Sequence, residues 1–288
     1  MGPADARANG RVACGFCPRR CRLFPQEVGL CGAVRQVGGQ IVPTFAGPPF
    51  RLHVSTTDSP FRRFLPGAAL LAVESPGSGL TPQRGSRAAT WDGVRGEPGF
   101  SPEETAFLAQ SWGCAAVFLQ TDDPYFAAGD GQKIVRCAGA AGLKTAVSTT
   151  AYLAESTREQ LLPLVDAIEL RLYSVSPVFH RRLFAARPEP IFETVEWVKK
   201  HTQAWVEVAV PLLTGENDHP GDIERLCRWL TESLGPTTPV HLHRVSPDLT
   251  DAALAVAVRT ASLAGLLDVD SVECAVGREE RVAAGSGA

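Results

Sequence analysis

From Gly67 onward this chain alternates between two textures, short near-continuous apolar runs and longer amphipathic stretches. The runs are Ala68–Val73, Ala115–Gln120, Leu143–Ser148, Ala167–Leu172, Ala204–Leu212 and Pro239–Val245. Most read as strands with both faces buried, which is the pattern of a parallel sheet. Between them the spacing predicts helices at Ser101–Trp112, Gly129–Ala141, Ser156–Leu162, Glu189–His201 and Pro220–Leu234, and Asp248–Leu266 closes the series. The first opens on S-P-E-E, a helix-start signal. Six strands separated by helices predict an α/β fold, either a partial TIM-like barrel or an open doubly wound sheet. In both, ligands sit at the C-terminal ends of the strands.

The first 66 residues have a different texture, with many prolines and only one short, partly apolar run, Gln40–Phe45. This divides the chain into a small cysteine-rich module (1–66), a β/α domain (67–270) and a tail (271–288). The composition is 44% apolar and 20% charged, with a net charge of -3, so no basic surface points to nucleic acid. The N-terminus has no apolar leader and no run approaches the ~20 residues of a membrane span, so the expectation is a cytoplasmic protein without a membrane partner.

Four of the eight cysteines fall at Cys14, Cys17, Cys21 and Cys31, spaced C-x2-C-x3-C-x9-C. Cys31 folds back over a turn carrying Gly29 and Gly32. Four thiolates gathered this way hold zinc or an iron–sulfur cluster. Two disulfides would need an oxidising compartment, and four buried thiols would need no such spacing. Crowding of three cysteines, Pro18 directly after one of them, and the charges of Arg19, Arg20 and Arg22 favour iron–sulfur over zinc. Cys114, Cys137, Cys227 and Cys274 lie singly in apolar surroundings and read as inert buried thiols.

The strand ends carry the other candidate groups: Thr121-Asp122-Asp123-Pro124, Thr149-Thr150-Ala151-Tyr152, Thr214-Gly215-Glu216-Asn217-Asp218 and Ser246-Pro247-Asp248. They suit a small polar ligand, and equally they are residues that turns use. Gly77–Gly85 lacks the G-K-[ST] ending of a phosphate loop. His241 and His243 point to one face of the last strand and read as cleft-lining polar residues. A metal role would need Glu207 or Glu169 brought close.

C-x2-C-P-R-R-C with G-L-C-G, then S-P-F-R-R-F-L-P-G, T-D-D-P, V-D-A-I-E-L-R-L-Y, P-E-P-I-F-E-T-V, T-G-E-N-D and H-L-H-R-V-S-P-D, over about residues 14–250, together resemble radical SAM proteins of the AmmeMemoRadiSam type, relatives of the pyruvate formate-lyase activating enzymes. The resemblance implies a partial (β/α)6 barrel, a 4Fe–4S cluster and S-adenosylmethionine. It places Asp123 at the methionine amino group, and Gly215, Asn217 and Asp218 beside the nucleoside. The family's C-x3-C-x2-C belongs in the loop after the first strand, Glu74–Asp92, and no residue between Gly32 and Gly113 is cysteine. The family's D-L-K reads Arg171-Leu172-Tyr173 here.

Three functions follow. The first is a degenerate radical SAM-like protein that keeps the N-terminal four-cysteine site and serves as a binding, regulatory or assembly partner, including partners of the AmmeMemoRadiSam type. The second is an enzyme using the N-terminal cluster with S-adenosylmethionine in a non-standard way. The third is a metal-independent barrel enzyme acting on a small anionic or nucleoside-like ligand with Asp122, Asp123, His241 and Arg244, the paired acids serving general acid–base chemistry.

Overall fold

All six apolar runs become parallel strands, and their alternate side chains separate into two cores. The computed structural model describes residues 6–7, 10–44, 51–56, 59–80, 100–122 and 124–273. The N-terminal part holds a small antiparallel sheet of β1 (Ala6–Arg7), β2 (Arg11–Ala13) and β3 (Arg22–Leu23), and a hairpin of β4 (Val34–Val37) and β5 (Gln40–Pro43). Gly38 and Gly39 both have positive φ (57° and 81°) at the hairpin turn, a conformation open to glycine at little cost.

The main sheet runs in chain order: β6 (Arg51–Ser55), β7 (Leu70–Ser78), β8 (Ala116–Asp122), β9 (Lys144–Thr149), β10 (Ala167–Arg171), β11 (Trp205–Leu212), β12 (Val240–Arg244) and β13 (Val269–Glu273). Strands β7 to β13 are parallel, and β6 lies antiparallel to β7. Two edge strands, β6 and β13, are thus not apparent in the hydrophobic pattern. Residues 51–55 fall within the span assigned to the cysteine module, yet they pair in the large sheet. β13 runs past residue 270, where the barrel was expected to end.

The connecting helices are α1 (Pro102–Ser111), α2 (Pro124–Ala128), α3 (Asp130–Ala140), α4 (Glu155–Leu161), α5 (Pro177–Phe184), α6 (Glu189–His201), α7 (Pro220–Ser233) and α8 (Asp251–Leu263). Helix α1 starts where S-P-E-E predicts, because Ser101 and Glu104 close a reciprocal capping box. Helix α5 was not anticipated, although Ser176 caps it and Pro177 takes its first position. Leu71, Val73, Val117, Leu119, Val147 and Ile168 face the helices, while Leu70, Ala72, Ala116, Phe118, Ala146 and Ala167 form the second core on the opposite face.

Residues 59–66 fill the N-terminal end of that inner face. Phe61 is buried there, edge-on to Phe118 at 6.3 Å and to Phe64 at 5.6 Å. The same segment reaches the far edge of the sheet. Arg63 donates to Asp268 at 2.7 and 3.1 Å and pairs with Asp270 at 3.3 Å, and Arg62 pairs with Asp270 at 3.7 Å. The sheet thus curls around this plug as a partial barrel. Among the described residues no backbone ladder closes it, and β6 and β13 remain its two edges.

Candidate functional site at the barrel mouth

Above the apolar plug the inward positions become charged. The register aligns Ser148 with Glu169 and Glu169 with Glu207, and, further toward the mouth, Arg171 with Ala209 and Ala209 with His241. Arg171 donates to Asp122 at 3.2 Å and to Ser148 at 2.6 Å, and lies 3.8 Å from Glu169. Ser148 donates in turn to Glu169. The other oxygen of Asp122 accepts the Thr150 amide at 2.8 Å. Glu169 is entirely buried, and loss of solvation raises its pKa against the opposing pull of Arg171.

The second interior network is Glu207, His241 and Asp270. His241 donates to Glu207 at 2.8 Å and to Asp270 at 2.5 Å. Glu207 also accepts the amides of Arg62 (2.7 Å), Arg63 (3.0 Å) and Phe64 (2.6 Å) and the Trp205 indole (2.9 Å). Burial alone would raise its pKa, but these donors, led by His241, hold it down at about 2. Burial likewise opposes the charge on His241, and the two carboxylates overcome it, so its pKa is raised. His241 is therefore fully buried and committed, and it does not line an open cleft as its alternation suggested. His243 lies closer to the mouth on the same face. Its Nε2 is buried without a hydrogen-bond partner, and burial, followed by the neighbouring His241 and Arg171, lowers its pKa to about 4.

The cysteine segment sits over this mouth. Cys14, Cys17 and Cys31 are buried and Cys21 is half-buried; Cys14 and Cys31 pack with Ala33 and Val34, and Cys21 lies against them. The Cys14 amide donates to the Cys21 carbonyl at 2.8 Å, folding the segment on itself. No disulfide joins any described cysteine. Burial pushes the Cys17 thiol up to about 11, with Cys14 and Cys21 adding to it, and Cys14 is raised for the same first reason. Thiols in such a setting ionise only when a cation joins them, which suits a metal-binding donor set. Among the described residues, however, no three His, Cys, Asp or Glu side chains are drawn together as a formed metal cage.

Contacts to the barrel come from the residues between the cysteines. Phe16 meets the Tyr125 ring edge-on at 5.1 Å, and the Cys31 carbonyl accepts the Ser78 amide at 3.0 Å. Arg19 donates to three backbone carbonyls, Gly79 at 2.7 Å, Phe184 at 2.5 Å and Ala185 at 3.0 Å, and lies over the Tyr152 ring. A side chain on Gly79 would meet Tyr152 at 3.5 Å and Cys17 at 3.7 Å. Arg19 thus does more than add charge beside the thiols: its planar fork of donors ties the segment to carbonyls at the strand ends.

The loop after β11 holds the other predicted ligand residues. Asn217 is 3% exposed and its amide is fully engaged: Oδ1 accepts the Leu213 amide at 2.7 Å, and Nδ2 donates to Tyr173 and Pro211 carbonyls at 2.8 and 2.9 Å. It ties the ends of β10 and β11 together, so any effect on a ligand runs through loop shape. Asp218 accepts the Gly215 amide at 2.8 Å, and Gly215 takes a positive φ of 74°. Gly215 and Asp218 line a surface recess of about 380 Å³ with Glu216, His219 and Asp222. Helix α7 is capped by His219, which accepts the Gly221 amide, and neither Asn217 nor Asp218 fills that position. Asp123 and Cys274 lie outside the described residues.

No protein-family model matches the chain. The uncharacterized protein MJ0808 of Methanocaldococcus jannaschii is 25% identical over 255 residues, covering 84% of this chain and 74% of the relative. Among solved structures, a radical SAM methyltransferase from Sphaerobacter thermophilus superposes with a TM-score of 0.51 at 13% identity, over 73% of this chain and 67% of its own. QueE from Escherichia coli gives a TM-score of 0.51 at 11% identity, over 78% of this chain and 93% of its own. A largely parallel, curled sheet with outward helices, matched to such structures, gives this chain the fold of the radical SAM proteins.

Proposed function

We propose that this protein is a degenerate radical SAM-like protein of the AmmeMemoRadiSam and pyruvate formate-lyase activating enzyme type. It carries a metal centre on Cys14, Cys17, Cys21 and Cys31 and works as a binding, regulatory or assembly partner without generating radicals. The observation that carries this reading is positional: four cysteines lie at the barrel mouth, while the segment from Gly32 to Gly113, which includes the loop after β7, contains none. Four cysteines are the donor type of a 4Fe–4S cluster, with zinc as the alternative, and binding either would have to draw together side chains that are not gathered as a cage in this structure; a reducing cytoplasmic compartment suits both. When bound, the centre would supply a fixed charge and a fixed loop conformation at the mouth. Four thiolates leave no open site for S-adenosylmethionine. A nucleoside-like ligand would instead use the strand-end loops, where Asp123 and the Gly215–Asp218 turn are the candidates and Asn217 shapes the loop.

A second reading, that the N-terminal centre itself takes part in chemistry, is favoured by the approach of Cys17 to Gly79 at the end of β7. Anaerobic purification followed by elemental analysis and visible spectroscopy tests the centre, with broad absorbance and iron expected for a cluster and one colourless zinc for a structural site. Dithionite and S-adenosylmethionine should then yield no 5′-deoxyadenosine above background. Product lost in Cys14→Ala would promote the second reading, and product that survives it would overturn the account of the β7 loop.

A further inference from the structure

We infer that Arg158, packed between α4 and α6 on the outside of the barrel, is an oxyanion site that takes a phosphate or carboxylate group. Among the described residues it is the one arginine or lysine that is buried, at 8% exposure. It makes no hydrogen bond to any described residue, and its Nε is sealed from solvent without an acceptor. Its one ion pair, to Oε1 of Glu155, is stretched to 4.0 Å, and that carboxyl is 78% exposed. The guanidiniums of Arg19, Arg63 and Arg171 are by contrast engaged, by carbonyls, by Asp268 and by Asp122.

A guanidinium keeps its charge and its five donors in any protein setting, so burying one without acceptors is costly. Packing nonetheless fixes where this cation sits. It lies over the Trp197 ring, 5.4 Å from the centroid, and His201 stacks on the same indole at 4.9 Å and 14°. The indole face replaces part of the lost solvation, but an indole accepts no hydrogen bond in its plane. The Nη nitrogens are not sealed as Nε is, so an anion can reach them from solvent. Two oxygens on one centre, as in a carboxylate or a phosphate, match that pair of donors end-on. Glu155, one turn away on α4, is the internal competitor: it stands too far to bond and near enough to repel an arriving anion. The site shares no residue with the barrel mouth or the cysteine segment, so it stands whether or not those cysteines bind a metal.

The test titrates the full-length protein with inorganic phosphate at constant ionic strength, with acetate as the carboxylate arm and chloride as the control. Binding is read from the Arg158 Nε–Hε signal in nitrogen-edited NMR spectra and from calorimetry. One saturable site is expected, with a Kd of about 1 mM or tighter for phosphate or acetate. Saturation by phosphate alone assigns a phosphoryl ligand, and by acetate alone a carboxylate. Arg158→Met keeps an apolar stem over Trp197 and should weaken binding about tenfold or more. Without phosphate it should melt at or above wild type, because a buried charge lacking acceptors has been removed. Glu155→Gln should tighten binding about two- to fivefold. No shift at Arg158 with about 20 mM of either anion overturns the proposal, as does a shift that chloride reproduces. Equal binding by Arg158→Met also overturns it. A lower melting temperature in Arg158→Met, with neither anion bound by wild type, would leave Arg158 as a packing partner of Trp197 and nothing more.

Discussion

Replacing Glu207 with Gln should be among the most damaging single-atom changes in the barrel. The carboxylate is wholly buried and accepts from Arg62, Arg63, Phe64, Trp205 and His241. Oε1 serves Arg63, Phe64 and Trp205, while Oε2 serves Arg62 and His241. A glutamine in its better orientation places its NH2 at the Oε2 position, where it faces the Arg62 amide and forces His241 to give up a proton to accept. One buried backbone donor is then orphaned and a buried ion pair is broken. Hydrogen bonds to a charged group contribute roughly 1.5–3 kcal/mol, and breaking a buried pair from one side costs about 3–5 kcal/mol, so a loss of about 3–5 kcal/mol is expected. That is a large fraction of the ~5–15 kcal/mol that holds a typical domain together. Urea unfolding followed by circular dichroism near neutral pH measures it, with amide exchange at Arg62–Phe64 as the local readout. A loss below about 1 kcal/mol, with those amides still protected, would refute the view that this carboxylate anchors the plug.

Lowering the pH tests His243, whose folded-state pKa of about 4 lies below its ordinary 6.5. The folded protein then binds fewer protons than the unfolded chain, so stability should fall by up to about 3 kcal/mol as pH drops from 6.5 to 4, and His243→Gln should abolish that component of the slope. His241, raised by its carboxylates, works in the opposite sense, its contribution being lost as pH rises through its folded value, so the wild-type minus His243→Gln difference isolates His243. Asn217→Ala removes three bonds to buried or part-buried backbone and should destabilise by about 2–4 kcal/mol in thermal or urea unfolding, more than the ~1 kcal/mol of a lost helix cap. Changing Cys14, Cys17, Cys21 or Cys31 singly to Ser should empty the metal site and loosen residues 11–44 while far-UV dichroism keeps the barrel signal, because residues 51–55 and 59–66 belong to the barrel and a structural site contributes ~10 kcal/mol or more to folding such a module. Four variants with full metal content would remove the assignment.

The barrel was legible because strands buried on both faces write themselves as apolar runs. Its interior was harder to read for the same reason. Glu169 and Arg171 in A-I-E-L-R, and Glu207 in W-V-E-V-A-V, are single charged positions inside otherwise apolar strands, and only register shows that they meet Ser148, Asp122 and His241. Their period of two was the available signal. Strand β6 hid among prolines and β13, V-D-S-V-E, among polar residues, since an edge strand need bury only part of its surface. The cysteine spacing pointed to one cluster, but spacing says nothing about position over the mouth, which depends on Arg19 finding carbonyls 60 to 166 residues away.

The bond from Arg63 to Asp268 joins residues 205 apart, and the plug reaches Glu207 across about 145. A growing chain therefore makes the plug long before its seat. At ~5–20 residues per second, Asp268 follows Arg63 after roughly 10–40 s of synthesis, and throughout that interval Phe61 and Phe64 have no finished barrel to enter. Contacts of such span also close late, because each is preceded by the entropy of a long loop. The last strand to be made is thus the one that completes the ring of charge around the first segment. A chain ending before residue 268 should seat Phe61 on Phe118 and its amides on Glu207, yet lack the Asp268 and Asp270 partners of Arg62, Arg63 and His241.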